Sequence, residues 1–492
     1  MTAQQIGALL IIGLFMLIPL AMGAIAGRKS IPTTEDFFVQ GRGMGSVAVF
    51  FTVAATWWSA FAFMGSNAYF YLNGPLYWTA IAWNILFGVM YFVIGKRVWF
   101  VGKVNLYITP KDFFKHQYGS ETLGNIIAVI MLVFTLPYLQ IQLTGGAYLI
   151  EVASGGMIPF KFAALLFYLV IIIYVWSGGL RAVAWTDIFY GIILFFGMII
   201  GGIYIANLLD GPVDMFQQLK EIKPENLVLQ DYAWMGWLSM FIITPVGSFM
   251  GPQLWTRMYA VKSPKLFNLM PFLLAVAAIS YVGSMLVGNS AVILEPSIAE
   301  PDKVLPVILF KYAPFVFSSL IIAGGAAAAM STANSQIHSM SAVYTVDFHK
   351  TYINKDLSER QLVWVGRWCI LILSAIAYVM ALFVPGLLVT IGLVALAGTA
   401  QVIVPTVGAF FWKRSTVAGA ISGVLAGIIL LILFTFIPTM IPGVFKYGGA
   451  GLLSLICNII VFIVVSLLTK PRPKELMDEL EAQYDDFYAK KY

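Results

Sequence analysis

Ser331 and Thr332 stand side by side in the run AAAAMSTANSQIHS, from Ala326 to Ser339, with Asn334, Ser335 and Gln336 within the next turn. Sodium is a hard cation and takes oxygen ligands, as other hard cations do; an adjacent hydroxyl pair supplies two. Further oxygens become available wherever a membrane helix is interrupted, because its carbonyls then lose their own amide donors. Residues 41–74 read GRGMGSVAVFFTVAATWWSAFAFMGSNAYFYLNG, with a polar midpoint at Thr56–Ser59 among small residues. The carbonyls of Ala55 and Trp58 are the candidates there. The small residues Ala326–Ala329 let the two segments approach closely. A second interrupted run, WMGWLSMFIITPVGSFMGPQLWTRMYAVKS at 234–263, holds Pro245, Gly247, Gly251 and Pro252. Asp187 is a carboxylate in an apolar stretch, which makes it a functional candidate. Its partner is a cation, Arg181 or a neighbouring hydroxyl.

Other chemistry is excluded by what the chain lacks. No HExxH, paired CxxC, Walker loop or helix-opening GxGxxG occurs, so neither an enzyme nor an ATP-driven pump is expected. Cys369 and Cys457 lie in apolar runs and read as packing residues. His116 and His349 read as loop residues. His338, two turns after Ser331, reads as a structural hydrogen bonder; proton coupling through it or Asp187 is the rival to sodium coupling. A non-transporting sensor of the same fold is a second rival, but the chain carries no soluble signalling domain.

These groups need spanning helices to hold them. The 492 residues are 60% hydrophobic and only 11% charged, against roughly 25% charged in soluble domains. A soluble enzyme, a nucleic-acid partner and a disordered scaffold are excluded, and the expected partners are a lipid bilayer and a small-molecule substrate, with no obligatory protein partner evident. Thirteen apolar runs suit an all-α polytopic protein of the cell membrane: 5–26, 45–73, 75–99, 122–153, 159–177, 181–207, 234–260, 266–292, 303–348, 359–383, 385–411, 413–437 and 446–469. Met1–Gln5 carry no side-chain charge, whereas Arg28 and Lys29 follow the first run, the reverse of a signal peptide. With the N-terminus outside and the C-terminus cytoplasmic, only Lys161, Lys220, Lys223, Lys303, Lys311 and Lys446 fall outside, leaving 23 of the 29 Lys and Arg, Arg257 among them, on the cytoplasmic side.

The interrupted second and seventh spans each begin a group of five, and an odd number per group gives opposite orientations. Paired broken helices at corresponding positions indicate an inverted-repeat transporter. The division is 1–44 (first helix and cytoplasmic loop), 45–207 (first repeat), 208–233 (extracellular loop), 234–411 (second repeat), 412–469 (two peripheral helices) and 470–492 (cytoplasmic tail, a short surface helix). Candidate substrate contacts beside the first break are Trp57, Ser59, Asn84, Gln142 and Gln401. No Arg or Lys falls at mid-membrane in the expected spans, so a carboxylate substrate would be held by sodium, helix N-termini and amide or hydroxyl donors.

Five ordered stretches resemble the sodium:solute symporter family: GRGMG at Gly41–Gly45, TPKDFFKHQYG at Thr109–Gly119, SGGLRAVAWTD at Ser177–Asp187, GPQLWTR at Gly251–Arg257, and AAAAMSTANSQ from Ala326. The resemblance covers about residues 30–420. It implies a LeuT-type fold of five plus five inverted helices with extra helices outside, and sodium-coupled import. It implies a sodium held by the backbone oxygens of Ala55, Trp58 and Ala328 and the side chains of Ser331 and Thr332. It also places Asp187, Asn334 and Ser335 at a second sodium or its exit path, although Asn334 stands where the family often has serine. Nearest in local sequence are the pantothenate and monocarboxylate members, which implies a small organic anion or amino acid as substrate.

Overall fold

The computed structural model describes residues 1–27, 33–384 and 386–489; the side chains of 19–20, 22–27, 174 and 177–186 are also outside the description. Arg28, Lys29 and the side chain of Arg181, which the sequence offers as cytoplasmic charges and as a partner for Asp187, therefore lie outside the described residues.

The architecture is all-helical. In chain order the α-helices are α1 Ala3–Gly27, α2 Thr34–Val39, α3 Ser46–Trp57, α4 Ser66–Asn73, α5 Thr79–Met90, α6 Lys96–Val104, α7 Pro110–Tyr118, α8 Glu121–Ala153, α9 Phe160–Asn207, α10 Pro212–Ile222 and α11 Trp234–Phe249. They continue as α12 Pro252–Ala260, α13 Met270–Ala277, α14 Ser280–Leu294, α15 Val304–Tyr312, α16 Phe315–Ala342, α17 Glu359–Phe383, α18 Leu388–Ala400, α19 Ile403–Phe411, α20 Val417–Phe436, α21 Ala450–Leu468 and α22 Lys474–Ala489. Among the described residues, nine helical stretches are long and apolar enough to cross a membrane, and the pair bent by 52° around Gly251 makes a tenth. Ala3–Ile18, Ser46–Trp57 and Phe160–Ile173 are shorter apolar helices.

Polarity along the helices is inverted relative to a soluble protein. On α21, Ser454, Asn458 and Ser466 are buried while Ile460, Val464 and Leu467 are exposed. The buried side meets a glycine stripe on α20: a side chain at Gly419, Gly423 or Gly427 would collide with Ser466, Asn458 or Gln401. Helices that lipid surrounds on one side gain little from apolar burial, so close backbone approach and interhelical hydrogen bonds hold them together.

Two faces collect the connections. One carries α7, the segment after α16 and the tail: Lys111 Nζ donates to the Asp347 carbonyl at 3.2 Å, and Arg472 and Tyr484 bond Gln117. The tail is a surface helix, as expected, seated on α6 and α7. The opposite face carries residues 208–233 and the ends of α8, α14 and α15, where Lys303 pairs with Glu151 at 2.8 Å.

Among the described residues, the one pairing of extended backbone outside named strands joins Met44 to Val261 in parallel. Met44 N–H donates to Ala260 O at 2.9 Å, and Lys262 N–H to Met44 O at 3.0 Å. Met44 lies two residues before α3 and Val261 immediately follows α12. The second span therefore leaves the level at which the seventh arrives, and the two interrupted spans run through the bundle in opposite senses.

On the opposite face, buried Asp302 accepts a hydrogen bond at 3.0 Å from Leu388 N–H, at the start of α18. Burial, and secondarily Glu300, push its carboxyl up to about 7 although the Leu388 bond opposes them. In the unfolded chain this group has the ordinary value of 3.8. Below both values it is protonated in either state and costs nothing; above both, the folded state alone carries the penalty. Stability should therefore fall by about 4 kcal/mol as pH rises from about 4 to about 7. Asp302→Asn keeps an acceptor for Leu388 and should flatten this part of the pH profile of thermal unfolding; an unchanged profile would refute the assignment.

Candidate functional site

The centre is the interruption after α3. Trp58 leaves the helix with φ −77° and ψ 70°. In a continuous helix the amides of Ser59, Ala60 and Ala62 would close on the carbonyls of Ala55, Thr56 and Trp58. Each donates elsewhere: Ser59 N–H to Trp57 O at 3.0 Å, Ala62 N–H to Ser59 O at 3.0 Å, and Ala60 N–H to Gln142 Oε1 at 2.9 Å. Three carbonyls are thereby deprived of their helical donors inside the bundle. The chain then resumes through a π-helical turn at Phe61–Gly65 into α4.

The ninth expected span approaches this break. Thr332 Oγ1 donates to Ala55 O at 3.1 Å and to Thr56 O at 3.4 Å. Ala328 lies one turn earlier on α16, fully buried. The approach is close because α16 is built of small residues here; a side chain at Gly325 would run into the Phe63 ring.

Ser331, beside Thr332, faces a second cluster. It donates to one oxygen of Asp187, and Thr52 of α3 donates to the other. Arg257 Nη2 lies 3.8 Å from the second oxygen. Its Nε donates to Thr52 Oγ1 at 2.9 Å, its Nη1 to Gln253 O at 2.8 Å, and its Nη2 to Ser335 Oγ. Ser335 Oγ in turn donates to Ser331 O at 2.9 Å. Asp187 and Arg257 are both essentially inaccessible. The cluster joins α3, α9, α12 and α16.

Arg257 corrects the reading of the sequence, which counts it among the cytoplasmic cations and leaves the middle of the spans without a basic residue. The bend at Gly251, where φ −64° and ψ 139° are extended, turns α12 inward and carries Arg257 into the protein. Thr52 is missed as well; its signal is the pair Thr52 and Thr56, four residues apart and hence on one face of α3. His338 packs against the rings of both Phe37 and Phe38, at 5.0 and 5.4 Å. His116 contacts Tyr107 and the tail residue Glu479. Asn334 is buried, and its Oδ1 has no hydrogen-bond partner.

The expected substrate residues divide. Trp57 Nε1 donates to Asn84 Oδ1 at 2.6 Å, and its ring stacks on Phe87 at 4.3 Å. Ser59 Oγ is 3.3 Å from Tyr138 OH, and Gln142 Nε2 donates to Tyr138 O at 3.1 Å. Four candidates therefore gather around the break, with Tyr138 as an unforeseen neighbour. Gln401 does not join them: it accepts from Asn458 of α21 and lies against Gly427. Thr244 and Ser248, one turn apart on α11, are buried hydroxyls without partners that the sequence reading passes over. A cavity of about 410 Å³ opens on the 208–233 face, between α4, α11 and α18, with Tyr69, Met240 and Leu393 in its walls.

Spans interrupted in corresponding places and run in opposite senses are the architecture of a secondary transporter. Over residues 37–427 the chain matches the model of the Sodium:solute symporter family, and it belongs to that family. It is 25% identical over 487 residues to an uncharacterized symporter of Bacillus subtilis, covering 96% of this chain and 99% of that protein. It is 27% identical over 425 residues to a sodium/pantothenate symporter of Haemophilus influenzae, covering 84% and 87%. It is 26% identical over 491 residues to a sodium/proline symporter of Staphylococcus aureus, covering 95% and 94%. Its fold is similar to that of a Na+-coupled sialic acid symporter in a substrate-bound outward-open state, with TM-score 0.77, 18% identity and 95% and 98% coverage. It is also similar to that of Mhp1, a nucleobase-cation-symport-1 family transporter, with TM-score 0.60, 12% identity and 91% and 98% coverage. The LeuT-type architecture is thus present in a multi-pass membrane transporter of the symport class.

Gln142 supplies the acceptor for an amide that the break leaves over. Gln142→Leu should cost about 1–3 kcal/mol, the penalty of an unsatisfied buried donor. Denaturant unfolding of the purified variant checks this, and a stability equal to that of the unaltered chain would remove Gln142 from the support of the break.

Proposed function

We propose that the chain is a sodium-coupled symporter that imports a small carboxylate or amino acid across the cell membrane by alternating access. The observation that carries this reading is the meeting of Thr332 Oγ1 with the carbonyls of Ala55 and Thr56, whose helical donors are directed elsewhere. Sodium sits among the carbonyls of Ala55, Trp58 and Ala328 and the hydroxyls of Ser331 and Thr332. The Ser331 hydroxyl directs its proton to Asp187, which leaves its oxygen lone pairs for the ion. Trp57, Ser59, Asn84 and Gln142 border the substrate. The pantothenate and proline relatives support a solute with a carboxylate.

Thirteen crossings place the N-terminus outside, the 208–233 face outside and the tail in the cytoplasm. The repeats are 45–207 and 234–411, with 412–469 peripheral. The cavity between α4, α11 and α18 is then the entrance. Each sodium that enters brings about 2.3 kcal/mol per 100 mV of membrane potential, in addition to its concentration gradient. Arg257 donates to Ser335 and faces Asp187; this resident cation where a second sodium would bind supports a single coupling ion.

Proteoliposomes with an imposed sodium gradient should accumulate a radiolabelled substrate, with a Hill coefficient for sodium near one. A proton gradient alone should not drive uptake. Ser331→Ala combined with Thr332→Ala should abolish accumulation. Thr332→Ala alone should weaken apparent sodium affinity by at least about 10-fold, what loss of an outer-shell metal partner costs, while Thr332→Ser should retain it. Uptake by the double variant at the original sodium dependence would overturn the assignment.

A further inference from the structure

Two cavities of opposite character meet at Trp412, on the tail-bearing face. One, of about 600 Å³, is a cleft between α19 and α21 walled by Ile403, Val407, Ile459, Phe462 and Ile463. Val407, Ile459 and Ile463 are exposed on either side of it, so it opens where the bundle meets hydrocarbon. The other, of about 210 Å³, lies just beyond α19 beneath α22, and its walls carry Arg97, Lys413, Arg472, Glu481 and Asp485. Arg472 is only 5% exposed. Its Nη1 donates to Gln117 O at 2.8 Å, but its Nε has no hydrogen-bond partner. A buried guanidinium N–H without an acceptor is costly, and here it lines a cavity. Lys413 Nζ pairs with Glu481 at 2.7 Å, so charges of both signs are held at this wall.

We propose that the two cavities together hold one phospholipid whose headgroup ends in a primary ammonium. An acyl chain fills the cleft, the phosphate faces Arg472, Lys413 and Arg97, and the ammonium faces Glu481 and Asp485. The two carboxylates beside three bases favour a headgroup that carries both charges. Phosphatidylglycerol would satisfy the bases but bring the carboxylates only neutral hydroxyls in place of a cation. A choline headgroup has no N–H to donate to those carboxylates. Trp412, at the junction, has the amphipathic ring that favours the headgroup level of a bilayer. The lipid would bridge α19, α21 and the tail, joining peripheral helices to the cytoplasmic surface. The site is separate from the sodium and substrate positions, so this proposal stands or falls independently of sodium coupling.

Native mass spectrometry of the full chain, released from detergent with equal amounts of phosphatidylethanolamine, phosphatidylglycerol and phosphatidylcholine, tests it. One phosphatidylethanolamine should be retained about tenfold over phosphatidylcholine, the discrimination expected of a charge-assisted hydrogen bond. Glu481→Gln with Asp485→Asn should erase that preference, and Arg472→Gln should lower retention of all three lipids. Thermal unfolding of each variant reports whether the tail remains folded. Ile463→Trp, which fills the cleft without touching a charge, should lower retention of all three by the same factor. Equal retention of the three lipids by the unaltered chain, a preference for phosphatidylglycerol, or a phosphatidylethanolamine preference that survives loss of both carboxylates would overturn the proposal.

Discussion

A backbone carbonyl inside a helical bundle must find a donor, because neither lipid nor tightly packed side chains can replace water. The interruption at Trp58 deprives Ala55, Thr56 and Trp58 of the amides that a continuous helix would give them, and much of the surrounding structure answers that deficit. Gln142 takes the displaced Ala60 amide. Tyr138, one turn before Gln142 on α8, approaches Ser59. Thr332 reaches Ala55 and Thr56 from α16. A helix break in this setting is tolerated only with such help, and the same carbonyl oxygens that require it suit a hard cation. The geometry that makes the segment costly is also the one the proposed ion site would use.

The second constraint is electrostatic. Asp187 is buried, and its partners come from three other helices: Thr52, Arg257 and Ser331. Removing one member of a buried ion pair costs about 3–5 kcal/mol, because the other charge is left uncompensated. The cluster therefore ties α3, α9, α12 and α16 together more firmly than apolar contacts do in a membrane, where helix association has little hydrophobic drive. Gly247 gives the seventh span a comparable closeness on its other side. A side chain there would meet the Leu396 backbone, and Thr399 donates to the Gly247 carbonyl at 2.9 Å.

Features that depend on local pattern are legible in the sequence. Apolar runs mark the helices, the polar midpoint at Thr56–Ser59 marks the first break, and Gly251–Pro252 marks the second. The hydroxyl pair at Ser331 and Thr332 stands out because its neighbours are small. Features that depend on how helices are aimed are not legible. Arg257 lies at the end of an apolar run and has the look of a cytoplasmic anchor; only the bend at Gly251 turns it inward. Gln401 is polar and immediately follows α18, whose end presents it to Asn458 rather than to the break. Trp57 and Asn84 do come together, and they largely spend their polar atoms on each other. The inverted sense of the two broken spans, inferred from counting five helices per group, has its physical counterpart in the Met44–Val261 bridge.

Ser331 and Thr332 connect the two constraints. Adjacent residues on one helix point about 100° apart, so Thr332 can serve the interrupted backbone while Ser331 serves the buried carboxylate. In the proposed site an ion on both hydroxyls would act on both networks at once: on the contact of α16 with the end of α3, and on the junction through which α9 and α12 meet them. A ligand shifts a conformational equilibrium only to the extent that its affinity differs between the states. Under the proposed alternating access, oxygens drawn from α16 and from the break would meet that condition, because separating the two would dismantle the proposed coordination shell. By reciprocity, whatever stabilises the closed approach of these helices strengthens ion binding by the same factor. A substrate seated against Trp57 and Ser59, on the interrupted segment itself, would do so without touching the ion. Coupling between ion and solute then needs no relay across the protein, only a shared dependence on one unwound stretch of backbone.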